Sequence, residues 1–583
     1  MTEEVRKSRA QMPPWGTFFP STSSLLREVP ILFAGVALFY ALLSFARYGI
    51  GPFHSQVEIS LSPSALPKYT VFSLMRLAAA YFLSLVFTLV YGYVAAYNAK
   101  AERFMVPLLD TLQSIPVLSF LPGIMLSMIA LFPGRQLGLE LGSILLIFTG
   151  QVWNMTFSFY SSLKNLPREL REATAVYDFS WWQRFTQLEL PYAFIGLTWN
   201  SMMSIAGGWF FLMACEMFVL GDRDLRLPGL GSYLQTAATA GNIKAIIWGL
   251  AIMISVIALI DQLIWRPIIA WGERFKFEQV EAAQTPYSPV LDWVRRSRLL
   301  SMIDRRLVAP LLEAVTLRFA RRHAGVHRQE RQARATALAS TLAGYAALLL
   351  LAYGAVKVML AASAISGREL REIIFGAGAT FFRVEAVLLL ATIWTVPAGV
   401  FIGMRPKVSF VLQPIAQIAA SVPATALFPV ILLVLIRLGG GLGIGSIALL
   451  LLGTQWYILF NVIAGASAIP SDLKEVCEVY RFGTIKRWQK LILPAIFPYL
   501  ITGLVTASGG AWNASIVAEY FHFKGQVLST VGLGAVISHA TDSGNFRLLL
   551  AATLVMAAMV VTINRLLWRR LYSLAATRFA LDA

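Results

Sequence analysis

The chain has 583 residues, of which 57% are apolar and only 14% are charged. Soluble proteins carry about 25% charged residues, so a water-soluble enzyme of this size is excluded. The mean hydropathy of +0.66 and the recurring apolar runs of about 20 residues are typical of helices that cross a bilayer core roughly 30 Å thick. In such a protein the net charge of +18 indicates basic cytoplasmic loops rather than a nucleic-acid partner.

The N-terminal segment mixes acidic, basic and proline residues ahead of any apolar run, so it does not resemble a cleavable signal peptide. The first apolar run is expected to stay in the membrane. Twelve spans are predicted in all. Those of the first half lie near 30–46, 71–97, 110–132, 139–162, 192–216 and 244–265, and those of the second near 336–362, 381–403, 413–436, 443–465, 495–518 and 546–567. The sequence therefore predicts an all-α polytopic membrane protein.

The two halves align at a nearly fixed offset, which indicates an internal repeat. Prolines of the third span recur 307 residues later in the ninth: Pro107, Pro116 and Pro122 match Pro414, Pro423 and Pro429. After a shorter loop the offset is 303, and it pairs Trp153 with Trp456, Glu172 with Glu475, Trp209 with Trp512 and Glu216 with Glu519. Because each half has an even number of spans, the two six-helix repeats should be parallel.

Basic residues define the expected orientation and the domain boundaries. Residues 266–334 carry fourteen Arg or Lys residues, which predicts that this segment and both termini are cytoplasmic. We expect a first six-span unit over 1–272, a basic linker over 273–334 and a second unit over 335–583. Leu291–Phe319 is interpreted as an amphipathic interfacial helix; a regulatory or nucleic-acid site is the alternative.

Two matched cytoplasmic loops carry the functional signal. They read LPRELREATAVYDFSWWQRFTQLELP over 166–191 and IPSDLKEVCEVYRFGTIKRWQKLILP over 469–494. Each predicts a short helix with a small apolar face, formed by Leu170, Ala173 and Tyr177 in one copy and by Leu473, Cys477 and Tyr480 in the other. Such a helix suits a groove on a soluble partner. A membrane-surface helix without a partner is the alternative, and the duplication disfavours it.

These loops resemble the EAA motif of binding-protein-dependent ABC transporter permeases. Glu172, Ala173 and Thr174, closed by Leu190–Pro191, match the motif, as do Glu475, Val476 and Cys477, closed by Leu493–Pro494. Asp178 and Arg481 stand where the motif has glycine, a residue that permits positive φ. Together with PLLDTLQSIPVLSFLP over 107–122 and PIAQIAASVPATALFP over 414–429, the loops are similar to nitrate/sulfonate/taurine (NitT/TauT) type permeases.

The resemblance implies two fused permease units with the fold of a type I ABC importer. Each EAA helix would act as a coupling helix on one of two copies of a cytoplasmic ATP-binding subunit, and a periplasmic or extracellular solute-binding protein would deliver a small organic or inorganic anion. The chain would be a multi-pass protein of the bacterial inner membrane. The coupling residues it implies are Glu172, Ala173, Thr174, Tyr177, Asp178, Glu475, Val476, Cys477, Tyr480 and Arg481.

No GxxxxGK[ST] loop is present in the sequence. We therefore expect a transport subunit that is not an enzyme, binds no cofactor or metal itself, and relies on ATP and Mg at its partners. An ion-gradient-driven secondary transporter with two six-span halves is the alternative function. It would need no duplicated coupling loop.

Candidate residues for the translocation path lie within the spans. They are Pro116, Trp209, Glu216, Pro423, Trp512 and Glu519, since ionisable residues at membrane depth are often functional and proline breaks helical hydrogen bonding. The alternatives are that Glu216 and Glu519 face the interface or pair with an Arg such as Arg223, and that the tryptophans are anchors or core. Arg76 and Arg383, also matched, are expected to snorkel to the membrane surface.

Overall fold

A computed structural model describes residues 58–220, 223–275, 288–303, 305–306, 309–320, 365–437, 441–523 and 526–578. The predicted spans near 30–46 and 336–362 lie outside these residues. Apart from two short β-hairpins, the regular structure of the described part is helical, so the chain is an all-α polytopic membrane protein.

The first half contains ten α-helices and one hairpin in its described part. They are α1 (Leu66–Tyr97), α2 (Ala99–Ser114), α3 (Leu121–Leu131), α4 (Leu137–Lys164), α5 (Arg168–Val176), α6 (Trp181–Arg184), α7 (Leu190–Glu216), β1 (Val219–Leu220), β2 (Arg223–Asp224), α8 (Leu230–Thr239), α9 (Ile243–Ile260) and α10 (Arg266–Gly272).

The second half repeats this order. Its elements are α14 (Gly367–Gly403), α15 (Pro406–Ser421), α16 (Ala424–Arg437), α17 (Leu442–Ser467), α18 (Ser471–Val479), α19 (Thr484–Arg487), α20 (Leu493–Ala518), β3 (Tyr520–Phe523), β4 (Gln526–Ser529), α21 (Leu533–Asp542), α22 (Phe546–Ile563) and α23 (Arg569–Arg578).

The linker forms three short helices in its described part, α11 (Pro289–Arg295), α12 (Arg298–Ile303) and α13 (Ala309–Ala320). The prediction of one amphipathic helix over Leu291–Phe319 is therefore wrong. Helix α13 lies against the first EAA-like loop, where the Trp182 indole N–H donates to the Thr316 hydroxyl at 3.3 Å. The linker thus contacts the loop that follows α5.

Six of the described helical segments are long and apolar enough to cross a membrane. They are Pro63–Tyr97, Ile243–Gly272, Gly367–Gly403, Leu442–Ser467, Thr484–Ala518 and Phe546–Ala575. Helices α4 and α7, of 28 and 27 residues, pack alongside α1 in the first half. Helix α14 begins well before the predicted residue 381 because Ser366 and Glu369 form a capping box that starts the helix at Gly367.

The third and ninth predicted spans are each broken at a matched proline. Helix α2 ends at Ser114, and a 3-10 turn over Val117–Phe120 follows Pro116 before α3. In the second half α15 ends at Ser421 and α16 resumes at Ala424, just after Pro423. A single span over 110–132 or 413–436 is therefore wrong, whereas the prediction that these prolines interrupt the helix is confirmed.

The repeat extends to irregular features of the helices. Five-residue π-helical segments occur at Phe185–Glu189 and Trp488–Ile492, and again at Asp261–Trp265 and Asn564–Trp568. Each pair is separated by the 303-residue offset of the sequence repeat. The two halves therefore share helix distortions as well as helix order.

The two ends of the bundle are distinct. Helix α7 starts beside α5 and α6 and finishes at hairpin β1–β2, and α20 likewise runs from α18 and α19 to hairpin β3–β4. We call the end with α5 and α18 the loop end, and the opposite end the hairpin end. One buried apolar core extends through both halves, with Trp209 and Trp512 among its largest buried side chains.

Glycines allow the long helices of each half to pack closely. A Cβ atom at Gly92 on α1 would lie 2.7 Å from the Phe159 ring on α4, and one at Gly399 on α14 would lie 2.8 Å from a Val462 methyl on α17. Gly92 and Gly399 are equivalent positions of the repeat. Small residues at such crossings let membrane helices approach one another.

We expect Gly399→Leu to destabilise the protein, since overpacking costs about 1–3 kcal/mol. The apparent melting temperature of the detergent-purified protein measures this. Gly378→Leu on the same helix is the matched control, because no atom lies within 4 Å of a Cβ built there. An equal effect of the two substitutions would contradict the packing role of Gly399.

Candidate functional site

Helices α5 and α18 occupy equivalent places at the loop end. Each has nine residues and begins directly after a proline, Pro167 or Pro470, whose backbone is extended. Proline is favoured at a helix start because its missing N–H would have no intrahelical partner there. The sequence thus places a short helix in both EAA-like loops, as predicted.

The two residues that replace the motif glycine adopt a left-handed conformation. Asp178 and Arg481 both have φ of 48°. The N–H of Phe179 donates to the Thr174 carbonyl at 3.0 Å, and the N–H of Phe482 donates to the Cys477 carbonyl at 2.9 Å. These bonds form the helix-ending motif that normally selects glycine. The turn expected of the EAA motif is therefore present without its glycine.

Both helices present an exposed apolar pair at their carboxyl ends. The exposed fractions of Val176 and Tyr177 are 82% and 75%, and those of Val479 and Tyr480 are 78% and 71%. The other exposed residues among the predicted coupling positions are Glu172, Ala173, Asp178, Glu475, Val476 and Arg481. A protruding aromatic and aliphatic pair of this kind is suited to a pocket on another protein.

The opposite face of each helix is seated on the bundle. Thr174 and Cys477, equivalent in the repeat, are buried, so the predicted placing of Cys477 on the exposed apolar face is wrong. The Arg171 guanidinium donates to the carbonyls of Leu163 and Lys164 at 2.7 and 3.3 Å. It thereby satisfies orphan carbonyls at the end of α4 and ties α5 to that helix.

A buried ion network lies at the hairpin end of the first half. The fully buried Arg76 donates to both Glu140 oxygens at 2.6 Å, to Glu216 at 2.8 Å and to the Pro228 carbonyl at 2.8 Å. The Ser73 hydroxyl donates to Glu216 at 2.7 Å and accepts from the N–H of Leu230, the first residue of α8, at 2.9 Å. One guanidinium thus bonds two carboxylates away from solvent and shares its single positive charge between them.

The second half has a reduced version of this network. Arg383 donates to Glu519 and to the Val531 carbonyl, and Thr380 donates to Glu519 at 2.8 Å. The position equivalent to Glu140 is Gly443, so Arg383 pairs with a single carboxylate. Its side chain is 12% exposed, against 0% for Arg76.

Each carboxylate also orders the short helix that follows its hairpin. The N–H of Gly231 donates to Glu216 at 2.7 Å, and the N–H of Gly534 donates to Glu519 at 2.8 Å. A Cβ at the adjacent Gly229 would lie 2.2 Å from the Glu216 carboxylate, so this close approach requires glycine. An anion at a helix N-terminus is stabilised by the helix dipole.

This geometry favours a structural role for the intramembrane candidates. Glu216 and Glu519 are fully buried and hydrogen-bonded to the elements around them. Trp209 and Trp512 are buried in the apolar core. The expectation that Arg76 snorkels to the surface is wrong, since it is fully buried. Glu140 was missed by the sequence reasoning, although a lone acidic residue in an apolar span is a recognisable signal.

A cavity of about 420 Å³ lies between the halves at the hairpin end. Leu118 and Pro122, next to the break at Pro116, line it from the first half, and Ile516 on α20 lines it from the second. The N–H of Leu118 donates to the Asn513 side chain at 3.4 Å. The broken helix of one half therefore contacts the other half at the cavity wall.

Equivalent polar residues face this cavity from both halves. Gln235 and Thr239 on α8 correspond to Ser538 and Asp542 on α21, and all four line it. In the part of the chain that the structure describes, the buried side-chain oxygen Oε1 of Gln235 has no hydrogen-bond partner. An unsatisfied buried acceptor needs a water or a ligand group, so the cavity is suited to a polar occupant.

One ion pair also lines the cavity. Arg226 donates to both oxygens of Asp224, at 2.8 and 2.6 Å. Burial raises the pKa of the Asp224 carboxyl, but hydrogen bonds from the side chain and backbone of Arg226 more than offset this and lower it overall. Asp224 therefore stays ionised and balances the charge of Arg226.

Two parallel helical units with matched loop helices and a cavity between them define a polytopic membrane transport permease. The model of the family described as "Binding-protein-dependent transport system inner membrane component" matches residues 88–264 and 395–572. Because the two matches cover more than half of the chain, the chain belongs to this family, with two permease units fused in one polypeptide.

Several known permeases are similar to this chain. The nitrate import permease protein NrtB of Leptolyngbya laminosa is 28% identical over 204 residues, which are 35% of this chain and 68% of that protein. The bicarbonate transport system permease protein CmpB of a Synechocystis strain is 29% identical over 187 residues, 32% of this chain and 64% of that protein. The putative aliphatic sulfonates transport permease protein SsuC of Bacillus subtilis is 26% identical over 180 residues, 31% of this chain and 62% of that protein.

We expect Asp178→Val to unravel the end of α5, because a β-branched residue at positive φ adds strain of order 1–3 kcal/mol. Hydrogen–deuterium exchange of the amides at 174–179 should accelerate. Asp178→Gly should leave exchange unchanged or slower, and Ala175→Val within the helix is the control. Equal protection in Asp178→Val and the parent protein would refute the strain argument.

We expect Arg76→Met to be strongly destabilising, since removing one partner of a buried ion pair costs about 3–5 kcal/mol. Arg383→Met should cost less, because it strands one carboxylate rather than two. The apparent melting temperature in detergent compares them. Adding Glu140→Gln and Glu216→Gln to Arg76→Met should recover part of the loss, and no recovery would show that charge is not the cause.

Proposed function

We propose that this chain is the transmembrane permease subunit of an ATP-driven importer and forms the solute pathway for a small anion. The observation that carries the proposal is the pair of equivalent helices α5 and α18, each with an exposed apolar pair at its carboxyl end. A duplicated docking element fits two copies of a soluble subunit. Family membership supports an ABC permease, and the relatives' names supply the anions nitrate, bicarbonate and aliphatic sulfonates.

In this proposal the loop end is cytoplasmic. Two copies of an ATP-binding subunit each receive one coupling helix, with Tyr177 or Tyr480 inserted in a cleft. ATP and Mg bind and react in those subunits, and this chain binds no cofactor. The basic linker lies on the same face, in agreement with the positive-inside rule, and both termini are cytoplasmic.

The proposed solute path runs between the two halves. An extracellular or periplasmic binding protein delivers the anion at the hairpin end, where the 420 Å³ cavity forms the entrance. The break at Pro116 lies beside it, next to the lining residues Leu118 and Pro122. Closure of the ATP-binding pair would rock the two units through the coupling helices, and the ion networks would keep each hairpin and its short helix attached to the moving unit.

An ion-gradient-driven transporter is disfavoured by the family and by the buried charges. The networks of Arg76 and Arg383 leave their carboxylates bonded on several sides, which suits a fixed structural element better than a proton or ion relay.

Uptake into proteoliposomes separates ATP-driven import from ion-gradient-driven transport. We expect uptake to require ATP and to persist when a protonophore collapses the proton gradient.

We expect Tyr177→Ala with Tyr480→Ala to remove copurification of the ATP-binding subunit while leaving membrane insertion intact. Truncating a buried aromatic anchor costs about 2 kcal/mol or more, which is at least a tenfold loss of affinity per site. Tyr572→Ala is the matched control, because Tyr572 is also exposed but lies outside α5 and α18. A complex that survives the double substitution with normal ATP-dependent uptake would refute the coupling role.

A further inference from the structure

A polar groove opens on the first half near the loop end. It has a volume of about 470 Å³ and lies between α4 and α7. Seven of its eight lining residues carry hydroxyl or amide side chains: Asn154, Ser158, Ser161, Ser162, Asn165, Tyr192 and Asn200. None of its lining residues is charged.

The equivalent place in the second half is filled. Tyr499 on α20 stands where α7 has Gly196, and its side chain lies against Gly465, where a Cβ would meet it at 2.8–3.0 Å. Gly465 is in turn the equivalent of Ser162. A glycine and a serine therefore leave space in one half, and a tyrosine and a glycine close it in the other.

A second pair of equivalent positions also makes the second half more tightly packed than the first at this level. Gly503 on α20 replaces Asn200, and a Cβ there would lie 3.0 Å from the α17 backbone at Ile458. Helices α17 and α20 therefore pack directly at this level. In the first half the Asn200 side chain occupies this level and faces the groove.

The face of α7 that lines the groove approaches the second half two turns further along the helix. Gly207 lies two turns beyond Asn200 on the same face of α7, and a Cβ at Gly207 would be 3.8 Å from the Tyr457 hydroxyl of α17. Tyr457 is the second-half equivalent of Asn154. The groove thus lies on the loop-end side of the Gly207–Tyr457 contact between the units.

The chemistry of the groove suits a small oxyanion. Within the described residues, the Asn154 amide and the Ser158 hydroxyl are engaged in no hydrogen bond with the protein. Hydroxyl and amide groups donate to anionic oxygens without the strong attraction of a paired cation. A transport site must bind well enough to admit the solute and weakly enough to release it, and neutral donors meet both demands.

We infer that the loop-end section of the path is one-sided: the first half binds the departing oxyanion in this groove, and the second half forms a closed wall at Tyr499. The inference rests on the proposed function and adds the site and its asymmetry. It predicts that equivalent substitutions in the two halves have unequal effects on transport.

The test uses the full chain with its ATP-binding subunit and binding protein in proteoliposomes, with nitrate, bicarbonate and ethanesulfonate as probes. Gly196→Tyr copies the closed second half into the first and should reduce uptake at least tenfold while copurification is retained. Ser158→Ala with Asn200→Ala should also reduce uptake at least tenfold. Asn461→Ala, at the second-half equivalent of Ser158, should change uptake less than twofold.

A labelling experiment keeps the inference testable should Gly196→Tyr fail to fold. Ser161→Cys and Ala464→Cys place thiols at equivalent exposed positions, and both should react with a water-soluble methanethiosulfonate. A transported probe anion should slow labelling at 161 at least fivefold and leave labelling at 464 unchanged. The parent protein, whose Cys215 and Cys477 are buried, gives the background.

The outcomes separate the inference from the proposed function. ATP-dependent uptake by the parent complex together with equal effects in the two halves, or equal protection at 161 and 464, overturns the one-sided path alone. No ATP-dependent uptake of any probe by the parent complex overturns the proposed function, and the inference with it. Unequal effects and protection confined to 161 support both.

Discussion

The hairpin end depends on burying a carboxylate beside a guanidinium and a helix N-terminus in each half. Glu216 and Glu519 would be costly inside the bundle without these partners. With them, each carboxylate joins a long helix, the hairpin that follows it and the start of α8 or α21 in one bonded unit. The cavity between the halves is lined by these elements, so its shape depends on the two networks.

Much of the fold could be predicted from the sequence because it follows from patterns that recur along the whole chain. The parallel repeat, the short helix in each EAA-like loop and the interruptions near Pro116 and Pro423 all follow from spacing and from the chemistry of proline. The early start of α14 was missed because a capping box, not hydrophobicity, determines it. The linker breaks into three helices where its composition had indicated one.

The candidate sites were less accessible to sequence reasoning. Apolar character alone did not distinguish the exposed Val479 and Tyr480 from the buried Cys477, since all three fit a short amphipathic helix. Glu216 was recognised, but its partner Glu140 lies on another helix, and only the fold brings them together at Arg76. The polar groove depends on Gly196 facing two serines, a juxtaposition that has no local signature.

The fusion of two units in one polypeptide has a consequence for how each unit can change. A transporter assembled from two identical chains must accept every substitution twice, once on each side of its symmetry axis. Here the position equivalent to Gly196 is occupied by Tyr499, and the position equivalent to Glu140 is occupied by Gly443. Each difference is present in one half only. Because the two halves are different segments of one chain, their sequences can diverge independently. Each half can therefore acquire its own role in transport.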